Sequence, residues 1–170
     1  EIKECDWSSD VCSSDLLRAR HLVREGRVDR LEDCLSFLIG KAQQAVARAA
    51  RAALAPHGVT PVQFAILKVL WQRDGLSGAE LGARLVLDSA TVTGLVERMV
   101  TAGLLERRPD PGGDRRMSRI HLTDRGAALQ APLDAAMDAV NARFVDALGP
   151  QRAERLWRDL EAVAGMAEKG

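Results

Sequence analysis

Residues 76–126 read LSGAELGARLVLDSATVTGLVERMVTAGLLERRPDPGGDRRMSRIHLTDRG, and the period of the apolar positions changes once within them. Ser77-Gly78-Ala79-Glu80 is a hydroxyl followed three residues later by a carboxylate, the capping-box pattern, and it opens a short helix through Leu81 and Leu85. After a brief turn, Asp88-Ser89 can cap a second helix, in which Val92, Leu95, Val96 and Met99 keep the i, i+3, i+4, i+7 spacing of a buried stripe. Ala102-Gly103-Leu104 reads as a Schellman stop, with the glycine free to take a positive φ. Residues 104–108 and 117–123 are then strand-like, with Ser118, Ile120 and Leu122 on one face and Arg119 and His121 on the other. Between them lies PDPGGDRR, a charged loop full of turn residues. Two short helices joined by a tight turn, followed by a two-stranded hairpin with a basic tip, is the plan of a winged helix-turn-helix.

Working outward, residues 31–55 place Leu31, Leu35, Leu38, Ala42, Ala45 and Ala49 on one stripe of a long helix that Pro56 and Gly58 end. Thr60-Pro61-Val62-Gln63 is another capping box, with proline at the first helical position. Its helix offers Phe64, Leu67, Val69, Leu70 and Trp71 to a core and closes at Gly75. Downstream, Thr123 can cap a long helix with Leu129, Leu133, Met137, Val140 and Phe144 as its stripe. Gly149-Pro150 breaks the chain before a last helix bearing Leu156, Trp157, Leu160 and Val163. The expected fold is mainly α with a small β-hairpin wing.

At 170 residues, 46% of them hydrophobic and 28% charged, the chain has the composition of a globular domain with a real core. Formal net charge is zero, so any attraction to nucleic acid must be local. Cys5, Cys12 and Cys34 form no CxxC, and His21, His57 and His121 are scattered. Neither a disulfide framework nor a metal site is expected. No catalytic constellation, glycine-rich phosphate loop or cofactor motif stands out, which argues against an enzyme. No run reaches the ~18 apolar residues that a bilayer span requires, and no charged leader precedes an apolar stretch. The expectation is a cytoplasmic protein without a membrane partner.

The second helix of the pair would expose Ala90, Thr91, Thr93, Gly94, Glu97 and Arg98, and its N-terminus would present Ser89. Such a helix fits a major groove about 12 Å wide, where Ala and Thr methyls meet thymine methyls. Hydroxyls and helix N-terminal N–H groups there suit phosphates. The same face is equally the solvated side of an ordinary helix, and the hairpin shifts the balance. Between 104 and 119, Arg107, Arg108, Arg115, Arg116 and Arg119 face Glu106, Asp110 and Asp114, a net +2 hidden in a neutral chain. Arginine suits phosphate forks and the narrow minor groove. A charged tip also serves solubility alone.

The run DRRMSRIHLTDRG (114–126) resembles the D-x-R-x-x-x-(apolar)-x-L-T-x-x-G signature of the MarR family of winged-helix regulators. Asp114, Arg116, Ile120, Leu122, Thr123 and Gly126 fill its positions. LVLDSATVTGLVERMVTAGLLERRPDP resembles the family's recognition helix and first wing strand, and GVTPVQFAILKVLW its second helix. The resemblance covers residues 31–168. It implies a winged helix-turn-helix over 60–123, dimerisation helices over 31–57 and 124–168, and a homodimer. It also implies double-stranded DNA as partner, a pseudo-palindromic operator, and a ligand pocket between lobe and dimer region. Arg116 would enter the minor groove, beside Arg115 on the basic tip, and Asp114 would orient an arginine. Ser89, Thr91 and Thr93, with Ala90 and Arg98 on the same face, would meet the major groove. Repression is the family's commoner arrangement.

One branch of the family senses organic peroxide through a cysteine in a setting resembling L-C-F. Here the stretch is Leu35-Ser36-Phe37, with Cys34 two positions earlier. Two helical positions turn a side chain by about 200°. The chain has no tyrosine to bond a thiolate, and Glu32 and Asp33 oppose one. Sensing of a small-molecule effector is the preferred expectation, with Phe37, Phe64, Leu67 and Trp71 as pocket candidates and equally good core residues. Family effectors are often aromatic or phenolic. A thiol-based redox sensor through Cys34, or a winged-helix protein-interaction module, are the alternatives.

CDWSSDVCSSDL (5–16) has no helical or alternating period. Written back into codons, it resembles a common short-read sequencing adapter. Residues 1–16 are therefore expected to be a non-native leader, and 17–30 an N-terminal arm with several arginines.

Overall fold

The computed structural model describes residues 30–109 and 118–166. The expectations for the leader, the arm and the tip residues Asp114, Arg115 and Arg116 lie outside them. The chain divides into two compact units, 1–46 and 47–170.

In the first unit, a 3₁₀ turn over Leu31–Asp33 leads to Cys34, whose backbone is extended (φ −80°, ψ 116°). Helix α1 (Leu35–Leu54) starts after it, with the N–H of Leu38 donating to the Cys34 carbonyl at 3.1 Å. The helix expected from Leu31 is thus interrupted: Cys34 takes the extended conformation of an N-cap, and Leu31 falls off the stripe. Leu31, Leu35, Leu38 and Ile39 are all exposed in the single chain.

The second unit holds the core. Thr60 caps α2 (Pro61–Gln72) by the expected capping box, its own N–H reaching Gln63 Oε1 at 2.9 Å. Ser77 and Glu80 do the same for α3 (Gly78–Leu85). Asp88 caps α4 (Ser89–Thr101), accepting from the Thr91 N–H at 2.8 Å. That helix ends in the expected Schellman pattern: Gly103 has φ +68°, Leu104 N–H reaches the Met99 carbonyl and Gly103 N–H that of Val100, both at 2.9 Å. The turn between α3 and α4 was less legible, because Val86 adopts a left-handed conformation (φ 54°, ψ 47°) that usually selects glycine.

Strands β1 (Leu105–Pro109) and β2 (Ser118–Leu122) pair antiparallel with Arg107 opposite Ile120. Leu76 adds a third strand position that the sequence did not announce. Its carbonyl accepts from Ile120 N–H at 2.8 Å, and Gly75 N–H reaches the Ile120 carbonyl at 3.1 Å. The close of α2 at Gln72 rather than Gly75 frees this segment to pair. Ile66, Leu67, Leu70, Leu76, Leu81, Val92, Val96, Met99, Leu105, Ile120 and Leu133 are virtually without exposure and form the centre of one cluster.

Thr123 caps only α5 (Asp124–Ala128), a short helix separated at Leu129 from α6 (Gln130–Leu148). The single long helix expected there is divided because Pro132 has no N–H for the Ala128 carbonyl, and its ring crowds that carbonyl. α7 (Pro150–Met166) follows Gly149 (φ +78°). Among the described side chains of this last helix only Ala153 is buried, whereas Leu156, Trp157, Leu160 and Val163 are 42–54% exposed. Among the described residues no single helix is long and apolar enough to cross a membrane.

Candidate nucleic-acid interface

α4 buries Val92, Leu95, Val96 and Met99 and turns Ser89, Ala90, Thr91, Thr93, Glu97 and Arg98 outward, the division expected from its period. The two threonine hydroxyls are already committed within the protein. Thr91 Oγ1 donates to Asp88 Oδ2 at 2.6 Å, and Thr93 Oγ1 donates to the Ser89 carbonyl at 2.8 Å. What these threonines turn to a groove is therefore their methyl surface and an acceptor oxygen, rather than a ready donor. The Asp88 carboxyl is held below its ordinary pKa, first by the Thr91 hydroxyl and then by the Thr91 N–H. Its charge also sits at the positive end of the helix, so an anion there competes with a carboxylate already in place.

Gly94 lies on the same surface. Arg98 folds back over it, and a Cβ built there would make an ordinary van der Waals contact, 3.7 Å from a guanidinium nitrogen. The C-terminal end of α4 is held from α5, where Arg125 donates to the Ala102 carbonyl at 2.9 Å. A cation at that pole also complements the helix dipole.

The described arginines of the ribbon beside it are paired with other groups. Arg107 donates to Ser118 Oγ at 3.1 Å, and Arg108 pairs with Glu106. On the opposite face of β2, Arg119 reaches Glu80 of α3 at 2.8 Å, and His121 Nδ1 lies 2.8 Å from Asp74 Oδ2. The other Asp74 oxygen accepts the Leu122 N–H at 3.0 Å. Glu80 was visible only as a capping residue and Asp74 not at all, because their partners lie 39 and 47 residues away. Glu80 is held below its ordinary pKa chiefly by the Ser77 N–H and hydroxyl, then by the charges of Arg119 and Arg73.

The pocket candidates are distributed differently. Leu67 is fully buried in the core. Phe64 and Trp71 are partly buried on α2, edge to face with ring centroids 6.1 Å apart, and the Trp71 indole N–H donates to the Gly126 carbonyl at 3.1 Å. Phe37 belongs to the first unit and is 38% exposed.

Cys34 departs from the picture drawn above. It precedes α1 rather than riding on it, so the helical rotation does not apply. Its Sγ lies 3.0 Å from Ser36 Oγ, and its pKa is lowered, first by that hydroxyl and then by the Phe37 N–H. Among the described residues no group of three or more His, Cys, Asp or Glu is placed to hold a metal ion.

A model of the MarR family matches residues 57–116. The transcriptional regulator TtmR of Methylorubrum extorquens PA1 is 38% identical over 125 residues, which is 72% of this chain and 64% of that protein. The chain thus spans just under two thirds of that relative's length. A probable transcriptional regulator of Pseudomonas aeruginosa superposes with a TM-score of 0.74 at 31% identity, covering 79% of this chain and 99% of its own. The repressor CouR bound to a 23-mer DNA duplex gives a TM-score of 0.72 at 26% identity, covering 81% and 97%. CouR of Rhodococcus jostii RHA1 bound to p-coumaroyl-CoA gives 0.69, also at 26%, covering 81% and 96%.

Proposed function

The chain belongs to the MarR family, and from that premise we propose that it is a sequence-specific DNA-binding transcriptional regulator, a cytoplasmic repressor without catalytic activity of its own. The observation that carries this reading is α4. Its apolar stripe is locked into the core, its opposite face is small, hydroxylated and open, and an arginine-bearing ribbon stands beside it. In this reading Ser89, Ala90, Thr91, Thr93 and Arg98 meet the major groove. From the sequence between β1 and β2, Arg116 enters the minor groove with Arg115 beside it and Asp114 orients an arginine, and CouR on its duplex supports the assignment by likeness.

The protein acts as a homodimer on a pseudo-palindrome. The open stripe of Leu156, Leu160 and Val163 on α7, with Trp157 beside it, supports this, since exposed apolar surface of this kind marks an association site. Two lobes held about one helical turn apart bind with their affinities combined, which a single lobe cannot match. The effector is a small molecule with an aromatic part, for which Phe64 and Trp71 offer an aromatic surface within the second unit, and the likeness to CouR, whose structure holds p-coumaroyl-CoA, supports this. A ligand that alters lobe spacing releases DNA without touching it.

Fluorescence-anisotropy titration of the DNA upstream of the gene, at two salt concentrations and against a scrambled duplex, tests the reading. Tight binding that salt weakens and Arg116→Ala abolishes is expected. Binding to no duplex even at low salt would move the assignment to a protein-contact module.

A second reading follows from Cys34, whose hydrogen bonds favour the thiolate and so its oxidation. Peroxide that releases DNA from the wild type but not from Cys34→Ser would make the protein a redox sensor.

A further inference from the structure

We infer that Glu80 and Arg119 act as positioning residues for DNA binding, a clamp that fixes the ribbon to the first helix of the helix-turn-helix without either one touching DNA in that role. The inference rests on the DNA-binding reading above. It begins from a mechanical difficulty. A two-stranded ribbon is marginal by itself, and it twists readily about its root. Its tip must nevertheless meet a groove at a fixed distance and angle from α4, because a contact that floats contributes little after its ordering cost.

Three features show how the fold meets that need. Leu76 pairs with Ile120 and anchors the middle of β2 through backbone bonds. His121, toward the root, is held by Asp74 at the end of α2. Arg119 is one residue from the tip end of β2 and is gripped by α3 itself, across 39 residues of sequence. Of the side-chain grips on this face of β2 among the described residues, the Arg119 pair stands nearest the tip, and it ties the ribbon to the reading unit.

The carboxylate in this pair differs from an ordinary surface partner. Glu80 Oε2 accepts from the Ser77 N–H, from Ser77 Oγ and from Arg119, each at 2.8 Å. The capping box has therefore already fixed the side chain that Arg119 meets. Most exposed ion pairs yield little because both side chains must be immobilised to form them. Here one of the two is immobilised by the helix start, so the geometry of α3 is passed directly to the ribbon.

The sign of one substitution separates this role from simple electrostatics. Glu80→Gln removes a negative charge from a DNA-binding lobe, so charge alone predicts tighter binding. The same direction follows if Arg119 is a phosphate ligand that Glu80 holds back. A clamp predicts the reverse. Glutamine retains the capping box, so α3 still starts correctly, but it no longer offers Arg119 a charge.

The experiment uses the full chain and the upstream duplex that the wild type selects over scrambled DNA. Anisotropy at several salt concentrations is measured for wild type, Glu80→Gln, Arg119→Gln, the double variant and Arg119→Lys, with a thermal melt of each. Expected are about tenfold weaker specific binding for each glutamine variant and no further loss in the double. Arg119→Lys should recover most of the affinity. The salt dependence should become shallower in Glu80→Gln, because tip contacts with phosphates are lost while the melting midpoint stays near wild type. Unchanged or tighter binding by Glu80→Gln overturns the clamp, as do losses that simply multiply in the double variant. A fall in affinity that tracks a fall in melting midpoint overturns it too. A wild type that fails to prefer the upstream duplex would instead count against the DNA-binding reading.

Discussion

A Cβ built on Gly126 would stand 2.2 Å from the carbonyl oxygen of Leu104, so α5 is laid against the backbone that carries the chain from α4 into β1. The same corner is tied by Thr123, whose N–H reaches the Leu104 carbonyl at 3.1 Å and whose hydroxyl donates to the Gly103 carbonyl at 2.7 Å. Since the obstructing atom is backbone, neither side can swing away. Gly126→Ala should destabilise the fold by about 3 kcal/mol, at the upper end of overpacking effects. Urea unfolding should show a lower midpoint at an unchanged slope; a midpoint equal to wild type would mean that α5 shifts freely.

Val86 offers the opposite case. It is 88% exposed with φ +54°, so its side chain gives up little packing while its backbone pays for a conformation costly to β-branched residues. Val86→Asn should stabilise the chain by about 1 kcal/mol and raise its melting midpoint by about 2–4 °C. Calorimetry checks this, and a lower midpoint would show that Val86 is held there by something it contacts.

The cap of α4 sets a pH dependence. Asp88 has its pKa depressed in the folded chain, by the Thr91 hydroxyl first and the Thr91 N–H next. Its contribution is therefore complete above the unfolded value of about 3.9 and is lost as pH falls through the lower folded value. Asp88→Ala should melt a few degrees below wild type at neutral pH. The gap should close progressively in melts taken below about pH 4. A gap that persists unchanged at pH 2 would mean that the cap does not depend on the charge.

For α7, Leu160→Glu places a charge within the open stripe of Leu156 and Val163. Sedimentation at micromolar concentration should find the wild type as a dimer and the variant as a monomer, with operator affinity reduced at least tenfold through loss of the second lobe. A variant that still sediments as a dimer would place the interface elsewhere.

How much of this was written locally in the chain can be judged residue by residue. Thr60, Ser77, Asp88 and Thr123 each bond a backbone group three residues on, so their roles are contained in a four-residue window. The apolar stripe of α4 is equally local, and with it the outward face that carries the candidate DNA contacts. The failures have different physics. Leu76 joins the sheet, and Asp74 and Glu80 find their partners, only after the chain has closed loops of some 40 residues, which no local pattern records. Val86 takes a backbone conformation against its own preference because the turn into α4 demands it. Cys34 and Pro132 interrupt helices within runs whose apolar spacing continues across them, so periodicity conceals both breaks.

The bond from Trp71 to the Gly126 carbonyl has a practical consequence. The indole is a fluorophore clasped between two helices, and its emission depends on the hydrogen bond and on the partial shielding it has there. Any motion that draws α5 away from α2 exposes the ring to water and moves the spectrum to the red. The protein thus carries its own unlabelled optical gauge of the corner where the ribbon meets the helical frame. Replacement of the exposed Trp157 by phenylalanine would remove one competing background to that signal.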